Sequence, residues 1–272
     1  MAVTSFIPTV WESRLLANFH KASIADVITT PPTEIKGNKI TFNKVGAVAV
    51  KDYAGTVTFD ELTTSSVDLN MDQEKYFAFK VKDVDKVQSA GDLVDAHTSE
   101  AGATLQETVD SYILGLYTGV HADNTIGDDT TAIALDKLNV YDSIVDLGTK
   151  LNKKKVPKTG RYVVINSDVL GLLSKDDRFT RQPVVLENGV VEGQKINGMQ
   201  VVVSEEIANV TGKLKIVALH QSAIGYGKQI DEIEAMRLES DFADGIRGLM
   251  VYGASVLRPE ALAVLTATIA NQ

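Results

Sequence analysis

The sequence predicts an α+β protein built from one long helix, two protruding segments and a region of alternating strands and helices. Three observations support this fold class. After Asp92 an apolar stripe continues for about 28 residues, which would form a helix of ~42 Å at 1.5 Å per residue. Before that stripe, several runs alternate between apolar and polar side chains, as strands do. From Gly160 onwards, apolar strand-like runs alternate with short helical ones.

Composition limits the classes of protein to which the chain can belong. It has 272 residues, of which 27 are Lys or Arg and 36 are Asp or Glu, so the formal net charge is −9. Apolar residues make up 44% of the chain, enough for a sizeable core in one or two domains. The acidic balance argues against a surface that grips nucleic-acid phosphates. The absence of cysteine excludes disulfides, thiolate nucleophiles, zinc ribbons and iron–sulfur ligation.

No targeting or membrane segment is predicted. The first residues lack the basic region and apolar core of a signal peptide. No apolar run approaches the ~20 residues that cross a bilayer. We therefore expect the protein to be cytosolic where it is made and to have no membrane partner.

Residues 1–30 carry apolar side chains at roughly helical spacing. They are Trp11, Leu15, Leu16, Phe19, Ile24 and Val27. Pro31 and Pro32 end the pattern, because neither offers an N–H and each restricts the residue before it. The pattern predicts a short helical arm or an extended tail with anchors. Because the prolines separate this segment from the rest, Trp11 packs either in the chain's own core or on a neighbouring subunit.

A long β-ribbon is predicted next. Residues 38–52 read as one strand, followed by a turn at 53–55 and returning strands at 56–59 and 67–71. At ~3.3 Å per residue the first strand is on the order of 50 Å long. Strands in compact domains usually have about 5–6 residues, and an isolated two-stranded ribbon is only marginally stable in water. The ribbon therefore has to lie on something, and another copy of the chain is the simplest candidate.

A shorter strand and the long helix follow. Residues 75–85 alternate, with Phe77, Phe79 and Val81 on one side and Lys80 and Lys82 on the other. The helix presents a stripe at spacings of three or four residues. The stripe comprises Val94, Thr98, Ala101, Leu105, Val109, Tyr112 and Leu116.

A second helix is predicted over residues 136–152, with Asp136 as its N-cap. Its apolar face comprises Leu138, Tyr141, Ile144, Val145, Leu147 and Leu151. Lysines 153–155 complement the helix dipole at its C-terminal end, and Pro157 prevents its continuation.

The remaining elements are short. Strands are predicted at 161–166, 199–203 and 214–219, with a capped helix at 167–173. Asn188-Gly189 and Asn197-Gly198 are dipeptides that close hairpins. Two apolar strands within 248–269 are separated by a break at 258–260.

A search for catalytic or metal-binding patterns finds none that holds. The four histidines, His20, His97, His121 and His220, do not form the His-x-x-x-His spacing that places two imidazoles on one helix face. The glycines of residues 225–228 match neither a Walker loop nor a dinucleotide fingerprint. No Gly-x-Ser-x-Gly elbow occurs. We therefore predict no catalytic residue, no cofactor and no metal site, and an enzyme is the disfavoured class.

The order of these segments resembles the major capsid (coat) protein family of tailed bacteriophages, the icosahedral head fold shared with encapsulins. The resemblance rests on five stretches that span nearly the whole chain. They are Ile7-Pro8-x-x-Trp11, Lys51-Asp52-Tyr53-x-Gly55, the run from Leu69 to Gln88, Val156-Pro157-x-x-Gly160-Arg161, and Gly193-x-x-Ile196-Asn197-Gly198. The run from Leu69 to Gln88 is the most specific of the five.

The resemblance implies a division of the chain into four parts. Residues 1–35 would form an N-arm and residues 36–74 an extended β-hairpin E-loop. Residues 75–156 plus 241–272 would form a peripheral domain with a long spine helix, and residues 157–240 an axial α/β domain. Contacts between subunits are then expected at Trp11, Leu15 and Phe19 of the N-arm and at Val48, Val50, Tyr53, Val57 and Phe59 of the E-loop.

The resemblance also implies a function. The chain would be the structural major capsid protein, assembling through pentamers and hexamers into an icosahedral phage head that encloses double-stranded DNA. Its partners would be itself, a portal, packaged DNA held without tight or specific binding, and a separate scaffolding protein, since the N-arm pattern starts within ~10 residues of the N-terminus. Lys51 lies near the loop tip, but no cross-link is predicted, because nothing identifies an acceptor.

The alternative within the same fold is an encapsulin-like nanocompartment shell that encloses an enzyme cargo. Such a shell protein usually begins with a helix in place of the arm. Pro8 and the Pro31-Pro32 pair favour the arm.

Overall fold

The computed structural model describes residues 23–31, 39–45, 52, 55, 64–82, 93–180, 195–238 and 242–270. In these parts of the chain the strands form three sheets of eight, three and two strands. None of the helices in the described ranges is long and apolar enough to cross a membrane.

The elements are numbered in chain order. The helices are α1 Ala25–Ile28, α2 Leu93–Gly115, α3 Val140–Lys153, α4 Ser167–Ser174 and α5 Asp177–Thr180. The strands are β1 Lys39–Val45, β2 Thr64–Asn70, β3 Gln73–Lys82, β4 Thr125–Ile126, β5 Ile133–Leu135, β6 Arg161–Ile165, β7 Lys195–Ile196, β8 Met199–Val203, β9 Asn209–Val210, β10 Lys213–His220, β11 Ile224–Arg237, β12 Ala243–Val256 and β13 Leu262–Ile269.

The eight-stranded sheet, here called the large sheet, has the order β4-β13-β10-β6-β8-β7, with β5 beside β13 and β9 beside β10. Its central strand β10 is buried from Leu214 to His220, as its nearly continuous apolar sequence predicts for a strand covered on both faces. Helix α3 packs on this sheet through side chains that include Ile144, Leu147 and Leu151, all fully buried.

A buried arginine joins the end of α3 to the start of β6. The Arg161 side chain is 2% exposed. Its Nε donates to the Pro157 carbonyl at 2.7 Å, and its guanidinium also donates to the Val156 carbonyl and to Asn152 Oδ1. A cation that binds carbonyls just beyond a helix C-terminus also interacts favourably with the helix dipole. Arg161 therefore fixes the turn between the two elements.

The three-stranded sheet, here called the small sheet, has the order β11-β12-β3. The register places Phe79 opposite Ile246 and Phe77 opposite Gly248. Phe77 and Phe79 lie on the face of this sheet that packs against α2, here called the inner face. On this face the ring of Tyr252, from β12, meets the ring of Tyr112, from α2, edge-on at 5.4 Å. The small sheet and α2 thus form a two-layer unit beside the large sheet.

The base of the predicted ribbon forms the two-stranded sheet of β1 and β2. Ile40, Leu69 and Met71 pack against Val251 of β12. Gly253 permits this contact, because a Cβ at that position would lie 2.1 Å from the Asn70 carbonyl oxygen. The ribbon base therefore lies on the face of the small sheet opposite α2, called here the outer face.

The structure confirms several predicted elements. Strand β3 alternates as predicted, with Phe77, Phe79 and Val81 on its more buried side. The long helix is present as α2, although a 3₁₀ turn at Leu116–Gly119 ends it earlier than predicted. Asn197 and Gly198 both have positive φ, as a type I′ turn between β7 and β8 requires.

The second helix begins later than predicted. It starts at Val140 with Asn139 in the N-cap position. The Asp136 carboxylate instead accepts hydrogen bonds from the backbone N–H groups of Leu138 and Asn139, closing a turn before the helix. Leu138 consequently lies outside the apolar face and is 71% exposed.

Strand pairing divides the chain differently from the predicted domain boundaries. β13, within the predicted peripheral segment 241–272, pairs with β10 in the large sheet. β11, within the predicted axial segment 157–240, pairs with β12 in the small sheet. The predicted boundaries follow the order of segments along the chain. A strand, however, belongs to the sheet whose strands it hydrogen-bonds with, wherever it lies in the sequence.

Replacing Gly253 tests the contact between the ribbon base and the small sheet. We expect Gly253→Ala to lower the free energy of unfolding by roughly 1–3 kcal/mol, because its new methyl group would meet backbone atoms that cannot rotate away. The control is Gly171→Ala in α4, where a Cβ meets nothing within 4 Å. This substitution should raise the free energy of unfolding by about 0.5–1 kcal/mol, because alanine favours a helix more than glycine does. Urea unfolding of both variants checks the prediction, and equal stabilities would contradict it.

Candidate subunit-contact surface

The outer face of the small sheet is covered at one end and open at the other. At the covered end, Val251 and Gly253 lie under the ribbon base. Beyond them the face continues along β3, β12 and β11, and some of its large apolar side chains, such as Tyr76, are exposed. Exposed large apolar side chains are a candidate site for another chain.

The open end carries exposed apolar side chains in two rows, separated by the row of Ala78, Arg247 and Glu234. We call these side chains the open patch. Tyr76 is 80% exposed and lies directly opposite Leu249, which is 36% exposed. Met236, opposite Gly245, is 40% exposed. Facing residues of neighbouring strands project to the same side, so these side chains share one surface with Ala78.

A groove of about 290 Å³ adjoins these side chains. It is lined by Ala78, Phe79, Lys80, Met236, Leu238, Gly245, Ile246 and Arg247. Gly245 opens it, because a Cβ there would lie 3.2 Å from Leu238 Cδ2. On the same face, Arg247 Nε donates to Glu234 Oε2 at 2.8 Å. An apolar floor with a charged rim is the composition of protein–protein contact surfaces.

A second, polar cleft of about 510 Å³ lies beside α3, α4 and α5. Its lining consists of Lys137, Leu138, Lys175, Asp176, Asp177 and Arg178. Arg178 binds Asp176 and Asp142, each at 2.7 Å, and its Cζ lies 4.8 Å from the centroid of the Tyr141 ring. The hydrogen bonds from Arg178 lower the pKa of the Asp176 carboxyl. The positive and negative groups largely balance, so this cleft is an ion-pair network with no surplus charge for an ionic ligand.

The described residues hold no group of three or more His, Asp or Glu side chains that could bind a metal ion. His220 is largely buried, and burial lowers its pKa. Its Nδ1 accepts from the backbone N–H of Ser222 at 3.1 Å, as the cap of a 3₁₀ turn. His220 therefore stabilises this turn as its cap.

All eight predicted contact residues lie outside the described residues. They are Trp11, Leu15, Phe19, Val48, Val50, Tyr53, Val57 and Phe59. Tyr76, Met236 and Leu249 were not among the contact residues predicted from the sequence. A signal was available for Tyr76, because it falls on the polar side of an alternating strand, where an aromatic side chain is unexpected.

The comparisons with known proteins agree with one another. Residues 66–265 match a family model described as phage capsid protein. No curated protein has a sequence that matches this chain.

Solved structures provide three informative likenesses. The chain is 33% identical to a protein of Mycobacterium phage Che8, with 85% of each chain covered and a TM-score of 0.67. It is 17% identical to the capsid structure of cyanophage P-SCSP1u, with 92% and 89% covered and a TM-score of 0.69. It is 15% identical to a virus-like particle from Pyrococcus furiosus, with 95% and 98% covered and a TM-score of 0.63. At their low identities, the last two show the fold alone.

The Arg178 network predicts a specific pH dependence. In the folded protein the pKa of Asp176 lies below its ordinary 3.8, so its stabilising effect is present above that pH and lost as the pH falls through the folded value. Asp176→Asn should cost about 0.5–1 kcal/mol of unfolding free energy at neutral pH, a modest effect because Arg178 is half exposed. Urea unfolding should show the stabilities of the two proteins converging as the pH falls below 3.8 and through the folded pKa of Asp176. A difference that stays constant with pH would contradict the assignment.

Proposed function

This chain belongs to the phage capsid protein family, and from that premise we propose how its parts build a shell. It is a major capsid protein with the tailed-phage capsid fold and a component of the virion. We propose that copies of it assemble through pentamers and hexamers into an icosahedral head that encloses double-stranded DNA. Its role is structural, with no catalysis of its own.

The open patch is the observation that carries this proposal. Tyr76 is 80% exposed on the face that the chain's own ribbon base covers at its other end. Large apolar side chains exposed on a monomer gain further burial only when another molecule covers them. The second molecule in a shell of identical subunits is a copy of the same chain.

The ribbon base supports the predicted role of the E-loop. β1 and β2 pair over seven positions from Lys39↔Asn70 to Val45↔Thr64, so the two residues that flank segment 46–63 lie side by side. We propose that Val48, Val50, Tyr53, Val57 and Phe59 of this segment contact neighbouring subunits, as do Trp11, Leu15 and Phe19 before residue 23. A contact in which one copy gives a segment and the next receives it is heterologous and closes into rings.

We also propose a division of the body by sheets. The large sheet with α3 and α4 would form the axial domain, and the small sheet with α2 the peripheral domain. This assignment keeps the two predicted domains but moves 224–237 and 262–269 to the sheets in which they pair.

The proposed partners follow from the charge and the fold. A net charge of −9 suits a wall that encloses DNA without holding it, because tight phosphate binding needs clustered Lys and Arg. We propose that the scaffolding protein and the portal are separate chains.

Electron microscopy of the purified protein tests the shell directly. The expected result is hollow, closed particles of uniform size, and a protein that stays monomeric at all concentrations would contradict the proposal. Particles from infected cells should contain nuclease-protected double-stranded DNA. Particles filled with an enzyme would instead support the encapsulin-like alternative.

If the E-loop contacts a neighbouring subunit, substitutions at its apolar positions should impair assembly more than substitutions at the positions that alternate with them. We expect the double variant Val57→Ser, Phe59→Ser to raise the concentration needed for assembly about tenfold, because it removes apolar burial at a subunit contact. The matched control Thr56→Ser, Thr58→Ser changes the alternate positions and should assemble normally. Light scattering against concentration measures both. Equal assembly of the two variants would exclude these side chains from the contact.

A further inference from the structure

Residues 23–30 form a strap between α2 and β11, within the segment predicted as N-arm. Ala25 and Ile28 are at most 1% exposed, Thr29 is 3% exposed and Ser23 is 8% exposed. The strap is therefore integrated into the core of the body. An arm that leaves the body would begin at or before residue 22.

A carboxylate of the long helix holds the N-terminal end of the strap. Ser23 Oγ donates to Asp110 Oδ1 at 3.0 Å, and the Ala25 N–H donates to the same oxygen at 3.1 Å. The Ile24 N–H donates to Asp110 Oδ2 at 3.4 Å. Asp110 is 7% exposed, so these contacts form away from water.

The opposite end of the strap is held by β11. The Thr30 N–H donates to the Ile224 carbonyl at 3.0 Å, and the Tyr226 N–H donates to the Thr30 carbonyl at 3.2 Å. Between the two ends, Asp26 pairs with Lys228 at 2.6 Å. Because α1 has only four residues, it is too short to be stable alone. Its position depends on these attachments.

A carboxylate at position 110 is energetically unfavourable, because burial removes it from water. Burial raises its pKa, although the donors from Ser23, Ala25 and Ile24 act in the opposite direction. An apolar side chain would avoid this desolvation. The hydroxyl of Tyr226 is buried and has no hydrogen-bond partner within the described residues. It therefore does not donate a hydrogen bond to the Asp110 carboxylate. The benefit of the carboxylate is therefore geometric, since its two oxygens orient three donors of one short segment.

We propose that Asp110 is a positioning residue for assembly, which fixes the point and direction in which residues 1–22 leave the body. This inference rests on the proposed function, in which those residues contact a neighbouring subunit. A loosened strap would let the arm leave in many directions. Fewer subunits would then present it in the orientation that a closed shell requires.

The test uses the full chain with three variants. Asp110→Ala removes the acceptor, and Asp110→Asn keeps one oxygen but turns a donor toward the strap. Glu107→Gln is the matched control, an exposed acid on the same helix. Hydrogen–deuterium exchange of residues 23–30 and of β10 reports the strap and the core separately, and electron microscopy counts closed particles.

We expect Asp110→Ala to speed exchange in residues 23–30 about tenfold or more while β10 stays protected. The yield of closed particles should fall in the same variant, recover partly in Asp110→Asn, and remain normal in Glu107→Gln. Fast strap exchange with a normal particle yield would overturn the proposal, as would unchanged strap exchange. Loss of protection in β10 with both Asp110 variants would also overturn it, since Asp110 would then support the whole fold. If the unaltered protein forms no particles, the proposed function fails, while exchange still tests the clamp.

Discussion

Incomplete cover of one sheet face is the constraint on which the account of this molecule depends. On the outer face of the small sheet, apolar side chains alternate with charged ones such as Lys80 and Arg247. The ribbon base covers this face near Val251 and Gly253. The end that carries Tyr76 and Leu249 stays exposed. Apolar surface left in water is unfavourable in proportion to its area. We propose that a second copy of the chain covers these side chains in the shell.

The long helix links this surface to the rest of the chain. Along one side, Tyr112 packs edge-on against Tyr252 of the small sheet. Two residues earlier, Asp110 holds the strap that leads to the N-terminal segment. One rigid element thus sets the position of the sheet and the root of the arm. The same helix therefore positions both the open patch and the N-terminal segment, which would contact neighbouring subunits.

Local patterns predicted the elements well where one physical signal dominated. The two-residue alternation of β3 follows from burial on one side and is confirmed. The long helix is confirmed as α2, and Leu105 and Val109 of its predicted stripe are buried. The start of α3 was wrong because Asp136 and Asn139 can both cap a helix. In the structure, each of these side chains accepts a hydrogen bond from the backbone N–H of the other residue, and the helix begins after them. Strand pairing across 224–256 involves partners that local sequence does not distinguish, and the close approach at Gly253 depends on a distant backbone. The eight predicted contact residues stay predictions, since they lie outside the described residues.

Chemical labelling of the open patch tests the central claim most directly. The chain contains no cysteine, so Tyr76→Cys introduces a single reactive thiol, and Ser111→Cys on the exposed side of α2 provides a comparison site. Maleimide labelling of free subunits and of closed particles gives the protection at each position. If the open patch lies in a subunit contact, assembly should slow labelling at position 76 about tenfold or more, because burial protects the thiol. Equal labelling rates at position 76 in subunits and particles would contradict it.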